Sequence, residues 1–107
     1  MNSLSRSLAN NPANIAAAYP GVKGVRQGGN MFATFHKIVD FENGLSLSVV
    51  SGPFLYGDED APFEIAAKNA DGELDGSLLM PEDQGEDVLG YCTMERVMEY
   101  VAYLAAK

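Results

Sequence analysis

The dipeptide Asn43-Gly44 lies between two runs of apolar and polar residues in strand-like order, and it restricts the chain more than any other feature. A two-residue type I′ turn needs positive φ at both central positions, which asparagine and glycine tolerate. After it, Leu45, Leu47 and Val49 alternate with Ser46 and Ser48, the period of a half-buried strand. Before it, Met31, Ala33, Phe35, Val39 and Phe41 share one face of a run from Met31 to Phe41. Thr34, His36 and Asp40 fall on the other face, beside Phe32 and Ile38. The pattern predicts an antiparallel hairpin with one apolar face, and that face needs a cover.

Further runs extend the sheet. Val22 to Arg26 is a short strand, and Gly28-Gly29-Asn30 turns the chain into the next one. Gly52-Pro53 stops the strand that begins at Leu45. Phe63 to Lys68 follows with Phe63, Ile65 and Ala67 inward, and Asp71-Gly72 turns it into a last run from Glu73 to Met80. The cover is a helix starting at Thr93, a good N-cap residue. Met94, Val97, Met98, Val101, Leu104 and Ala105 recur at helical spacing, with Glu95, Arg96 and Glu99 mostly off that stripe. With 107 residues only one core is affordable. The expected fold is α+β: a four- or five-stranded antiparallel meander with a C-terminal helix packed on one face and short helical N-terminal segments. Residues 1–21 form an arm: Leu4 and Leu8 share a face of Ser3 to Ala9, Asn11-Pro12 opens a second helical piece, and Pro20-Gly21 ends it. Residues 22–107 form the single domain.

Fifteen acids against seven bases give a formal charge of −8, which disfavours direct nucleic-acid binding and docking on an anionic membrane. One cysteine and one histidine exclude an internal disulfide and a Cys/His zinc cluster, and no cofactor motif is present. No apolar run reaches the ~20 residues of a membrane span, and the first twenty residues lack a signal-peptide core. The cytoplasm is the expected compartment.

Thirteen of the fifteen acids fall between residues 58 and 99. They gather at Asp58, Glu59 and Asp60, at Asp71, Glu73 and Asp75, and at Glu82, Asp83, Glu86 and Asp87. Such loops serve solubility in many proteins; the sharper expectation is an acidic surface that docks on a basic partner protein. Asp71-x-Glu73-x-Asp75-Gly76-x5-Glu82 nearly spells a calcium loop. Glu73 at its third position, Pro81 near its end and strand-like flanks oppose that reading. His36 and Asp40 would stand roughly 13 Å apart on one strand, out of hydrogen-bond reach, so no catalytic pair is read from them and His36 is taken as a surface residue. Cys92 precedes the helix cap, where a helix N-terminus can activate a thiol, although a small half-buried residue is the plainer reading. Tyr56, Tyr100 and Tyr103 are candidate interface aromatics, although core packing against a sheet edge is the plainer reading of each one singly, and at least one of the latter pair should be partly exposed.

Phe41-Glu42-Asn43-Gly44, Ser48-Val49-Val50-Ser51-Gly52-Pro53-Phe54 with Tyr56-Gly57, Phe63-Glu64-Ile65-Ala66, Asp71-Gly72-Glu73-Leu74 and Asp87-Val88-Leu89-Gly90-Tyr91 form a series over about residues 41–104. This series resembles a group of small tailed-bacteriophage proteins without an assigned activity. The resemblance implies a phage or prophage origin and no catalytic residues. The acidic stretch from Glu82 to Glu86 and the N-terminal arm depart from it. The resulting expectation is a non-catalytic, phage-type protein that binds and modulates a host or defence protein in the bacterial cytoplasm. Host-takeover factors and anti-defence inhibitors such as anti-CRISPRs are of this kind. Two alternatives stay open: a structural or self-assembling phage component forming homodimers or larger homo-oligomers, and a calcium-binding module using Asp71 to Glu82.

Overall fold

A computed structural model describes residues 16–53, 55 and 57–107. The expected helical pieces before residue 16 lie outside the described residues, as do Phe54 and Tyr56. Five strands follow one another as an antiparallel meander in the order β1-β2-β3-β4-β5: β1 Val22–Gln27, β2 Phe35–Phe41, β3 Ser46–Ser51, β4 Phe63–Lys68 and β5 Leu89–Cys92. One helix, α1 (Met94–Ala105), crosses one face of the sheet. Thr93 caps it, its hydroxyl accepting a hydrogen bond from the Arg96 amide at 3.1 Å.

The core lies between α1 and the inward positions of the strands. Val39, Phe41, Leu47, Val49, Ile65 and Ala67 meet Val97, Tyr100, Val101 and Leu104, all nearly inaccessible to water. Phe35 is only half-buried, at the end of the core, where its ring meets Phe63 edge-on with centroids 5.9 Å apart. Ala16 is also buried in this core, and Gly21, just before β1, is tied to the sheet, its carbonyl accepting the Glu42 amide.

Asn43-Gly44 turns the chain, but not as a two-residue type I′ turn. Only Gly44 has positive φ, +89°, and the Gly44 amide donates to the Phe41 carbonyl. The loop is a three-residue one, a turn closed by a left-handed glycine. Asn43 is held by other contacts: its Nδ2 donates to the carbonyls of Leu104 at 2.8 Å and Lys107 at 3.2 Å, and its Oδ1 accepts from the Leu45 amide. The turn therefore also ties the last turn of α1, at Leu104, and Lys107 beyond it to the sheet. Gly72, with φ of +81°, ends the next hairpin in the same way.

Two expected strand segments take other conformations. Met31 to Thr34 lies outside β2, because the Asn30 side chain accepts the Phe32 amide and folds a local turn. Met31 and Phe32 are 86% and 62% exposed as a result. The run from Glu73 to Met80 contributes one bridge, Leu74 with Lys68, and then coils into two short 3-10 turns, Gly76–Leu78 and Pro81–Asp83. Asp75 captures the Ser77 amide at 3.0 Å, so the backbone bond a ladder would use is satisfied locally. Leu79 drops into the core instead of alternating. The fifth strand is Leu89–Cys92, immediately before the helix.

The face of the sheet away from α1 carries His36, Ile38 and Asp40 of β2, Ser46, Ser48 and Val50 of β3, and Glu64, Ala66 and Lys68 of β4, in register. Leu47→Ala should cost about 2–5 kcal/mol by denaturant titration, because it empties a site beneath the helix. Leu74→Ala, at a half-exposed position, should stay within about 0.5 kcal/mol.

Candidate functional site

The acidic residues do not form one continuous face. Asp58, Glu59 and Asp60 sit in the β3–β4 connection, where Asp58 Oδ1 accepts the amides of Asp60 at 3.0 Å and Ala61 at 2.7 Å. Asp71, Glu73 and Asp75 follow the other end of β4, a six-residue strand and so about 20 Å away. Asn69 fixes that turn by accepting the amides of Asp71 and Glu73. The Glu86-Asp87 segment joins the second group: a methyl placed on Gly76 would stand 2.7 Å from the Glu86 carbonyl oxygen and 3.2 Å from Asp87 Oδ1. The acids thus make two patches at opposite ends of the sheet. Among the described residues, Asp58, Glu59, Asp60, Asp71, Glu73, Asp75, Glu86 and Asp87 have no cationic partner.

Glu82 and Asp83 are different. Arg96, on the first turn of α1, binds Asp83 through Nη2 and Glu99 through Nη1 at 2.9 Å, and lies 3.6 Å from Glu82 Oε1. Its guanidinium carbon stands 5.2 Å from the centre of the Tyr100 ring. The Tyr100 hydroxyl donates to Asp83 and accepts the Met80 amide at 3.0 Å. Asp83 is therefore an internal clasp that holds the Pro81–Asp83 turn on the helix, not a free surface carboxylate. Burial, with the hydrogen bond to Asp83 next in size, pushes the Tyr100 phenol well above its ordinary range.

Of the candidate interface aromatics, Tyr100 is completely buried: it lies three residues after Val97 and four before Leu104, so helical spacing puts it on the buried stripe. Tyr103 is half-buried, edge-on to Tyr100 at 6.1 Å and with Lys107 Nζ 4.6 Å from its ring centre. Tyr56 lies outside the described residues. The exposed aromatics among the described residues are elsewhere: Tyr19, Phe32, and Tyr91 at 61% with a φ of +54°. Tyr91 lies where β5 departs from regular pairing with β4 between Phe63 and Ile65. An extra residue there re-aims the side chain.

Chemistry by nucleophile or metal finds little here. Burial pushes the Cys92 thiol up to about 11, against the opposing pull of Arg96, so the helix N-terminus does not activate it. No three His, Cys, Asp or Glu side chains converge on one point among the described residues, those of Asp71 to Glu82 included.

A small pocket on the face opposite α1 brings together His36, Ser48 and Glu64. The Asn30 amide donates to His36 Nδ1 at 2.9 Å, and His36 Nε2 meets Ser48 Oγ at 2.9 Å. A backbone N–H can only donate, so Nδ1 is the unprotonated nitrogen and Nε2–H donates to Ser48. In this tautomer the imidazole cannot take the serine proton, and the pair is not a nucleophile with its base. Burial, then the charges of Lys68 and Arg26, lower the His36 pKa. Gly28 makes room for the ring: a methyl there would lie 2.2 Å from Nδ1. Sequence reading placed His36 on the surface; with the β2–β3 register fixed, its parity with Ser48 was the signal for this contact.

No helix among the described residues is long and apolar enough to cross a membrane. Neither family models, nor curated proteins, nor solved structures gave a match to this chain.

Two outcomes follow from these contacts. Tyr100→Phe should lower stability by about 1–3 kcal/mol, since it strands the Met80 amide and removes a donor from Asp83. His36 is kept neutral in the fold, whereas the unfolded chain takes up its proton near pH 6.5. Its contribution is therefore complete above that pH and is lost as pH falls through the lower folded value. Denaturant midpoints measured from pH 7.5 to 5.5 should decline, and His36→Gln should flatten that decline.

Proposed function

We propose that this chain is a non-catalytic protein-binding module that docks its acidic loops on a basic surface of a partner. In this reading it is a phage-type modulator of a host or defence protein, in the manner of host-takeover factors and anti-defence inhibitors such as anti-CRISPRs. One observation carries the docking reading: eight loop carboxylates lack a cationic partner among the described residues, on turns that Asp58, Asn69 and Asp75 fix with their own side chains. Pre-ordered charge of one sign speeds association with a surface of the other and costs little ordering when the complex forms. The phage setting rests on the sequence resemblance alone.

Capture of partners from a bacterial lysate, quantified against salt, tests the reading. The Debye length falls from about 10 Å at 0.1 M to about 3 Å at 1 M, so capture should fade across that range. Reversing Glu59, Asp60, Glu86 and Asp87 to lysine should abolish it while the circular dichroism spectrum stays unchanged, because these side chains cap nothing. Undiminished capture by this variant overturns the reading, and salt-independent self-association by light scattering would favour the homo-oligomer instead.

A further inference from the structure

We propose that the pocket on the sheet face opposite α1 binds a primary alkylammonium group, with Glu64 and Ser48 as its hydrogen-bonding partners. The space is about 150 Å³. That is room for several waters, and so for a short alkyl chain.

Its chemistry points to one kind of ligand. Glu64 Oε2 is buried and has no hydrogen-bond partner. A buried acceptor left unmet is costly in a folded protein, and a donor brought by a ligand removes that cost. Ser48 Oγ receives the His36 Nε2–H and retains a second lone pair. Glu64 and Ser48 lie diagonally across β3 and β4, since Ser48 pairs with Ala66. Such positions stand about 7–8 Å apart, a span that one nitrogen bridges by donating to both side chains. The Asn30 amide fixes the histidine tautomer, so His36 holds the serine in place and does not compete for the nitrogen.

The rest of the lining suits the carbon chain. Val50 and Ala66 form the floor, and Leu55 and Val88 stand beside it. An anion would face the Glu64 carboxylate, and an alcohol brings no charge and a single donor. The nearby cations leave the site open. Arg26 is held by Asp40 at 2.8 Å, and Lys68 stands opposite Ser46, with no ion pair to Glu64 among the described residues. The Gly90-Tyr91 irregularity of β5 lies across from Glu64, so the one left-handed non-glycine residue among those described borders the same strand position.

An alkylammonium can come from a free amine or from a lysine side chain of a bound protein. Amide chemical shifts of the ¹⁵N-labelled full chain, titrated separately with n-butylammonium, n-butanol and Nα-acetyl-lysine methylamide, distinguish the sources. Saturable shifts at Ser48, Glu64 and Ala66 are expected with at least one of the two ammonium probes and not with n-butanol. A preference for n-butylammonium assigns the pocket to free amines, and equal or tighter binding of the capped lysine assigns it to a side chain. Glu64→Gln should weaken binding at least ten-fold with the remaining amide spectrum intact. Should that variant fail to fold, Ser48→Ala carries the same test with a loss of several-fold. Absence of saturable shifts with both ammonium probes, equal shifts with n-butanol, or undiminished binding by the folded variant overturns the proposal. The pocket is separate from the loop carboxylates, so this result and the salt-dependent capture stand or fall independently.

Discussion

Burial of Leu47, Val49, Ile65 and Ala67 beneath Val97, Val101 and Leu104 is the contact on which the other parts of this fold depend. A chain of this length has apolar material for one such interface, and among the described residues α1 supplies most of the cover for the sheet, with Ala16 and Leu79 beside it. The antiparallel meander suits that economy, since each strand pairs with its sequence neighbour and no long crossover has to be closed. One consequence is asymmetry. The inner face is committed to stability, while the opposite face and the loops at both ends hold groups that the core does not need.

The helix itself is clamped at both ends by polar side chains. At its start, Arg96 gathers Asp83 and Glu99, and Tyr100 adds its hydroxyl to Asp83, so the 3-10 turn at Pro81–Asp83 is drawn onto α1. At its end, Asn43 reaches from the β2–β3 turn to two terminal carbonyls. These bonds set the direction of α1 across the sheet more than they add net stability. Partly buried charge pairs lose much of their attraction to the cost of desolvation, and removing one partner is what hurts. The same logic separates Asp83 from the other acids: it is paired with Arg96, whereas the eight loop carboxylates have no cationic partner among the described residues, and Asp58 and Asp75 bond only to groups of their own turns.

Periodicity made the sheet and the helix legible because both have a wet side and a dry side. Leu47 and Val49, Ile65 and Ala67, and Val97 with Val101 could be placed from spacing alone, and all are buried. Spacing could not place residues whose backbone bonds are captured by a neighbouring side chain. Asn30 and Asp75 do this, and they turn Met31–Thr34 and Glu73–Met80 away from strand geometry although their apolar pattern allows it. Tyr100 is a different case: its spacing from Val97 and Leu104 allows burial, but the partner of its hydroxyl, Asp83, is seventeen residues away in sequence and spacing does not show it. The acidic clusters were visible in the sequence, but their division between opposite ends of β4 is a matter of topology. The His36–Ser48–Glu64 pocket needs the registers of three strands, which composition does not contain.

The division of labour between the two faces is the central claim, and the unfolding free energy of one combined variant tests it most directly. Glu59→Gln, Asp60→Asn, Glu64→Gln, Glu86→Gln and Asp87→Asn together neutralise five carboxylates while leaving the core, the His36–Ser48 hydrogen bond, the clasp at Arg96 and the turn-fixing Asp58, Asn69 and Asp75 in place. Removing like charges from a chain of net charge −8, and relieving a buried carboxylate oxygen that has no partner, should leave stability equal or higher. A loss of more than about 1 kcal/mol, beyond what substitutions away from structural features produce, would contradict the account, because it would show that these groups hold the fold together.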